Sequence, residues 1–323
     1  MSFDAESPAY VLIRWAQYLG MMLIVGSVTF AFVAVPVLRR ASGEPGVARA
    51  AGQEAASWGF YAALLVTAAA LGRLVAQTLA FYDPSEAFDP GLVWMIVTQT
   101  LWGRGWLLQV AGVTAVLGGL HAARRGTLQF SDMRGGWAFA ILGTIALALS
   151  SALSGHAAAV PRLPWLAIFF DTMHVLGAGA WLGGLAVLAL VGLRSRSLAP
   201  DVTVVPVHLL PALLDAFAPA ALVSVSVVSA TGVFASWLHV HDVRLLGTTP
   251  YGLRLLLKLV TVAVIVSLGA LNWRRLAPKV GHQRGLRNLR VSVAVELALG
   301  TLALLITAVL VATATPDEQV PGS

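Results

Sequence analysis

The sequence contains no cysteine and few charged residues, and each scarcity excludes a class of protein. Without thiols the chain forms no disulfides, iron–sulfur clusters or cysteine metal sites, so any metal must bind through His, Met or oxygen ligands. Charged residues make up only 11% of the 323 residues, whereas roughly 25% is usual for soluble domains. The chain is 58% hydrophobic with a mean hydropathy of +0.81, which predicts an integral membrane protein.

The apolar residues form continuous runs that are long enough for helices to cross a bilayer. They lack the short alternating segments of a β-barrel, so we expect an all-α, polytopic membrane helical bundle. The acidic N-terminus has no basic region typical of a cleaved signal peptide, and the first run is expected to be a retained span. Eight spans are predicted, at about 9–38, 56–81, 92–121, 136–157, 165–193, 212–239, 252–273 and 291–314.

The third run is long for one crossing and contains Gly103-Arg-Gly105. Residues 90–102 are therefore predicted to be an interfacial or re-entrant piece before a span from about 104. The gaps between spans are too short for a soluble domain.

Basic residues alternate between the loops, and 14 of the 21 Lys and Arg would face one side. Because Lys and Arg concentrate in cytoplasmic loops, both termini are predicted to face out of the cell. The net charge of +6 is then a topology signal, and no nucleic-acid partner is expected.

A histidine lies unusually deep in the fifth predicted span. His174 is about nine residues from the outer start of this helix, roughly 13 Å along the axis. Ionisable groups at such depth usually face the bundle interior and find a partner there. Asp171 shares its helix face at i, i+3, and Trp181 continues this face below the pair, while Met173 adjoins it on another face.

Three further histidines end spans on the predicted outer side. His156 is followed by a short loop with two prolines, which makes spans four and five antiparallel neighbours and brings His156 towards His174. His239 and His241 end the sixth span. Imidazole with oxygen or thioether ligands suits copper, although zinc and nickel also accept imidazole. Asp171 is either a ligand or a group that orients a histidine ring; an Asp–His hydrogen bond that only joins helices is the structural alternative.

Other polar residues lie within the last two spans. Lys258, in the outer part of the seventh span, is a candidate to approach Asp171 or a bound anion. Glu296 either neutralises Arg274 or Arg275 at the inner interface, or marks the inner end of a permeation path with Asn272 beside it.

Arg14, Arg73 and Arg104 lie towards outer helix ends, where we expect them to reach the lipid headgroups. The hydroxyl groups of the sixth span are expected to serve packing and backbone hydrogen bonding. No motif of a soluble-type active site has its structural context, so a transporter or metal-relay protein is favoured over an enzyme.

Several short motifs, taken in order, resemble those of the CopD copper-resistance membrane proteins across roughly residues 140–316. The motifs are Ser154–Ala157, Asp171-x-x-His174 running into Trp181–Leu185, Tyr251–Leu259, Leu268–Asn272, Glu296–Gly300 and Thr307–Pro316. The resemblance implies a bacterial inner-membrane protein of copper homeostasis that takes up copper, as Cu(I) or Cu(II), with a separate periplasmic CopC-like partner. It also implies that His156 and His174 are copper ligands.

The chain divides into an N-terminal membrane half at 1–135, a CopD-like membrane domain at 136–316 and an outer tail at 317–323. The chain departs from the family pattern at Phe217-Ala-Pro219, where a serine usually follows the phenylalanine. A b-type haem protein with histidines as axial ligands is the alternative function. A scaffold or sensor subunit without a substrate is a third hypothesis, and a homo-oligomer is compatible with the sequence.

Overall fold

The computed structural model shows a bundle of long helices. It describes residues 7–43, 45–82, 85–125, 130–155, 163–193, 205–239, 244–280 and 282–313, without the side chains of 130–134 and 239. Within these ranges the chain contains no strand, and eight helices are long and apolar enough to cross a membrane. The predicted all-α bundle with eight spans is confirmed.

The described chain contains nine helices of ten residues or more, and the short third helix is not one of the spans. Their bounds are α1 Pro8–Ser42, α2 Pro45–Phe81, α3 Pro90–Gln99, α4 Leu101–Arg125, α5 Phe130–Leu153, α6 Pro164–Leu193, α7 Leu210–His239, α8 Pro250–Leu271 and α9 Gln283–Ala312.

The break before α4 confirms the prediction of a separate piece at 90–102. The carboxylate of Asp89 caps α3 by accepting hydrogen bonds from the backbone of Gly91 and Leu92, at 2.8 and 3.0 Å. Thr100 has an extended backbone, and its hydroxyl oxygen accepts from the Gly103 amide at 2.9 Å. One threonine therefore ends α3 and caps the start of α4.

Helix α6 is not a regular α-helix throughout. It contains π-helical turns at Gly179–Gly183 and Ala189–Leu193. At the first of these turns α1 lies directly against α6, because a Cβ on Gly183 would collide with the backbone carbonyl of Met22 and a Cβ on Gly26 with the backbone of Gly183. Glycine on both helices permits this contact, which holds α6 against the first span.

Helix α1 also contacts α2, α7 and α9, so it lies at the centre of the bundle. Consecutive spans run in opposite directions, and α6 and α8 therefore begin at the end of the bundle where α1 begins. We call this the α1-start end. The prediction that it faces out of the cell remains a prediction.

Candidate functional site

The His174 ring makes a hydrogen bond to another helix. Its Nδ1 atom is 2.9 Å from the hydroxyl oxygen of Thr231 on α7, and Thr231 is almost completely buried. The same hydroxyl lies 2.7 Å from the Val227 carbonyl oxygen, which can only accept. The arrangement is satisfied when Thr231 donates to Val227 and accepts from the Nδ1–H of His174. The Nε2 atom then carries the free lone pair.

Packing between α6 and α7 also holds the ring in place. The ring lies against α7 at Gly232, where that helix has no side chain. If Gly232 carried a Cβ atom, it would be 3.6 Å from Cε1 of His174. About one turn closer to the α1-start end, the rings of Phe170 and Phe234 stack with centroids 4.4 Å apart. The ring orientation is thus fixed by contacts on more than one side.

Two charged residues, Lys258 and Asp171, interact electrostatically in the region of this ring. Lys258 on α8 exerts an electrostatic effect on His174, and Asp171 exerts one on Lys258. Asp171 and His174 are each half-buried. We call Asp171, His174, Thr231 and Lys258 the His174 cluster. That Lys258 approaches Asp171, or a bound anion, remains a prediction.

Thr231 is the member of this cluster that sequence reasoning missed as a histidine partner. We expected its hydroxyl to bond to its own helix, which it does, but it also bonds the ring. We considered Asp171 as a group that orients the ring by bonding one of its nitrogens. At Nδ1, the bonded group is the Thr231 hydroxyl. The sequence feature that could have predicted this contact is a hydroxyl residue in the next span at the same depth as His174.

Below the cluster, a layer of apolar side chains crosses the bundle. Trp181, in the first π turn of α6, is only 5% exposed and packs with Ile265 of α8 and Ala303 of α9. We call these three residues the apolar barrier. Trp181 thus lies beneath the Asp171/His174 pair, as its place on that helix face predicted.

A second polar group lies beyond the barrier. The Asn272 amide donates a hydrogen bond to the Glu296 carboxylate at 2.9 Å, and both residues are more than 90% buried. Arg274 and Arg275, the partners that the first interpretation of Glu296 requires, are exposed. The hydrogen bond of the Glu296 carboxylate is to Asn272 instead. Asn272 thus lies beside Glu296, whereas a role of this pair at the inner end of a permeation path remains a prediction. We call these two residues the Glu296 pair.

The three levels are aligned along α8. Lys258, Ile265 and Asn272 are spaced by seven residues, so they lie near one face of the helix and about 10 Å apart per step. Polar groups therefore lie on both sides of an apolar barrier, and no continuous polar stripe connects them among the described residues.

One prediction about the arginines is wrong. Arg73 does not reach towards headgroups: it is 6% exposed, and its Nη1 atom donates to the side-chain oxygens of Gln17 and Gln109, each at 3.1 Å. Both glutamines are almost fully buried on neighbouring helices, and they draw the guanidinium inwards. Arg104 is exposed, as expected.

The remaining predicted ligands are not all described. His156 and His241 lie outside the described residues, and so does the side chain of His239, the last residue of α7. Met173 is half-buried. Within the described part, no group of three or more His, Cys, Asp or Glu side chains is positioned to hold a metal. His174 would therefore need ligands from the residues named above.

Two family models match the chain. The model described as copper resistance protein D-like, N-terminal domain, matches residues 4–161. The model described as copper resistance protein D matches residues 211–310. Together they extend over both halves of the bundle and include Thr231, Lys258, Asn272 and Glu296.

Two relatives are similar to the chain. The copper transport protein CutJ of Bacillus subtilis (strain 168) is 29% identical over 239 residues, which cover 73% of this chain but 41% of that protein. The chain thus corresponds to less than half the length of this relative. Copper resistance protein D of Pseudomonas syringae pv. tomato is 27% identical over 322 residues, covering 93% of this chain and 94% of that protein. No solved structure matches the chain. Both family models and both relatives thus agree on one assignment, and the chain belongs to the CopD family of copper-resistance membrane proteins.

Proposed function

We propose that this protein binds copper at His174 and moves it inwards across the bacterial inner membrane. The observation that carries the proposal is the hydrogen bond between His174 Nδ1 and Thr231. Metal-binding histidines commonly donate the other ring N–H to a protein acceptor, which fixes the tautomer and the ring orientation. Thr231 serves as this acceptor, and Nε2 remains available for copper.

The other copper ligands are proposed from the sequence. His156, His239 and His241 are the candidates, with Met173 and Asp171 as further possibilities. Imidazole accepts copper in both oxidation states, whereas a thioether such as Met173 would favour Cu(I). The carboxylate of Asp171 lies near Lys258 and offsets its charge, which lowers the repulsion that an entering cation meets.

The proposed path leads from the His174 cluster to the Glu296 pair. Ionisable residues inside spans are costly and commonly mark ion pathways, and the path has such residues on both sides of the apolar barrier. Copper would have to pass Trp181, Ile265 and Ala303, so transport requires these side chains to move. The barrier represents a closed state of the path.

The cellular setting follows from the same proposal. With the α1-start end outside, the His174 cluster lies on the periplasmic side of the apolar barrier, and a CopC-like protein in the periplasm would deliver copper. The names of the two relatives, a copper transport protein and a copper resistance protein, support copper as the substrate.

Copper binding is tested on the purified full chain by metal analysis and visible spectroscopy. We expect bound copper in the native protein and a loss in His174→Ala and His156→Ala. His282→Ala, an exposed histidine at the start of α9, should bind as the native protein does. Equal binding by all variants would contradict the site. A Soret band that disappears in the histidine variants would instead favour the b-type haem alternative.

Transport is tested in proteoliposomes that contain a copper-sensitive dye. The native chain should admit copper faster than empty vesicles, and His174→Ala should not. Copper binding without any uptake would leave a relay or sensor role and contradict transport.

A further inference from the structure

A small cavity lies in the N-terminal half of the bundle, near the α1-start end. Its volume is about 30 Å³, and it lies between α1, α2, the end of α5 and α9. Six polar residues contribute to its lining: Arg14, Gln17, Tyr18, Arg73, Ser151 and Ser154. A cavity needs about 10–15 Å³ to hold a water molecule, so this one has room for a small bound species and not for a lipid headgroup.

The two arginines bring fixed positive charge into the membrane region. Guanidinium groups remain protonated in proteins, and a buried charge is costly without a partner of opposite sign. Arg73 is 6% exposed, and its hydrogen bonds to Gln17 and Gln109 engage neutral acceptors. Arg14 stacks over the ring of Tyr10, with its Cζ atom 4.4 Å from the centroid.

Negative charge is scarce around this cavity. None of the described residues that line it is acidic. The carboxylate that interacts electrostatically with Tyr18 is that of Asp171, which interacts with Lys258 as well. Among the described groups just named, the two arginines and Lys258 thus outnumber the single carboxylate.

The polar atoms that lack partners in this region are all donors. Nη1 of Arg14, Nε of Arg73 and Nε2 of Gln109 are buried and have no hydrogen-bond acceptor among the described residues. A water molecule would bring donors of its own as well as acceptors, whereas an anion brings only acceptors. Unpaired N–H groups around a cationic cavity therefore favour an anion.

We propose that this cavity is a binding site for one small inorganic anion of the chloride class. The anion would accept hydrogen bonds from the free N–H groups of Arg14 and Arg73 and offset their charge. This site is distinct from the proposed copper site, and it does not depend on copper being transported.

The experiment measures binding of radiolabelled chloride to the full chain in phosphatidylcholine nanodiscs, at constant ionic strength with gluconate as the replacement anion. Thermal unfolding in the same two salts is the second readout. We expect saturable binding of a single chloride per chain, and a higher unfolding temperature in chloride than in gluconate, because a ligand that binds only the folded state stabilises it.

Three variants make the test specific. Arg73→Gln removes one charge, and Ser151→Val fills the cavity while leaving both arginines in place. Each should weaken chloride binding by about tenfold or more, the effect of losing a hydrogen bond to a charged group. Arg104→Gln removes an exposed arginine from the same end of the bundle and should bind chloride as the native chain does.

The outcomes separate clearly. If Arg73→Gln does not fold, Ser151→Val decides, because it retains the charges. Chloride binding by Ser151→Val equal to that of the native chain would overturn the proposal. Absence of saturable chloride binding to the native chain, or equal stabilisation by gluconate, would overturn it as well.

Discussion

The Nδ1 atom of His174 lies 2.9 Å from the hydroxyl oxygen of Thr231, across the interface between α6 and α7. Two consecutive spans thus define the direction in which Nε2 points. A single threonine hydroxyl bonds both the backbone of its own helix and the candidate copper ligand.

Replacing this hydroxyl should weaken copper binding without removing any ligand. Thr231→Val keeps the shape of the side chain but lets the ring turn or change tautomer, and we expect copper affinity to fall by about 10- to 100-fold. Competition with a copper chelator of known affinity measures the change.

Two variants on the same helix serve as controls for Thr231→Val. Thr231→Ser should retain binding, because it keeps the hydroxyl. Ser226→Ala should also have no effect, since the exposed Ser226 hydroxyl donates its hydrogen bond to the Leu222 carbonyl of its own helix. Copper affinity that is unchanged in Thr231→Val would contradict the role of Thr231.

Removing the positive charge of Lys258 should strengthen copper binding. Lys258 acts electrostatically on His174, so Lys258→Met removes a repulsion and leaves the Asp171 carboxylate to attract the ion. We expect affinity to rise by roughly tenfold, because two unit charges about 10 Å apart repel each other by about 1–2 kcal/mol at an effective dielectric constant of about 20. The chelator competition applies here too.

Arg254→Met is the matched control, because Arg254 lies one turn before Lys258 on α8. Its guanidinium donates a hydrogen bond to the hydroxyl of Thr313, the residue that follows the end of α9. Equal gains in both variants would indicate a general surface-charge effect rather than a local one.

The number of spans could be predicted from the sequence because long apolar runs report membrane crossing directly. The separate α3 could also be predicted, since Gly103-Arg-Gly105 interrupts a run that is too long for one span. The π turn at Gly179–Gly183 could not, because hydropathy does not reveal a change in helical hydrogen bonding.

Within the candidate site, depth identified His174 but not its partner. Helix periodicity relates residues of one span, such as Asp171 and His174, and so it favoured a pair within that span. The contact with Thr231 depends on how α6 and α7 pack, and the burial of Arg73 depends likewise on glutamines from two other helices. Such contacts between side chains of different spans need the tertiary structure.

Neutralising Glu296 should slow transport while leaving copper binding at His174 intact. Glu296→Gln keeps the size of the side chain, but it removes the carboxylate that accepts from Asn272 beyond the apolar barrier. We expect the initial rate of copper uptake to fall by about tenfold, equivalent to about 1.4 kcal/mol on the barrier. Uptake into proteoliposomes and equilibrium binding are measured on the same preparation.

Asp215→Asn is the control for Glu296→Gln, since it neutralises an exposed carboxylate near the start of α7. Its uptake should equal that of the native chain. A loss of copper binding in Glu296→Gln would show that the pair supports the fold of the binding site rather than a later step of the path.

The close contact between α1 and the first π turn should make Gly183 intolerant of any side chain. A Cβ there would meet the backbone of Met22, which cannot move aside as a flexible side chain can, so Gly183→Ala should separate the two helices. Overpacking of this kind costs about 1–3 kcal/mol, and we expect a lower unfolding temperature in detergent. Gly118→Ala is the matched control, because a Cβ at this exposed position of α4 would meet nothing within 4 Å. Alanine there should leave stability unchanged or raise it by up to about 1 kcal/mol, through its better helix propensity. Equal stability of Gly183→Ala and the native chain would contradict the contact that holds α6, and with it His174, against the first span.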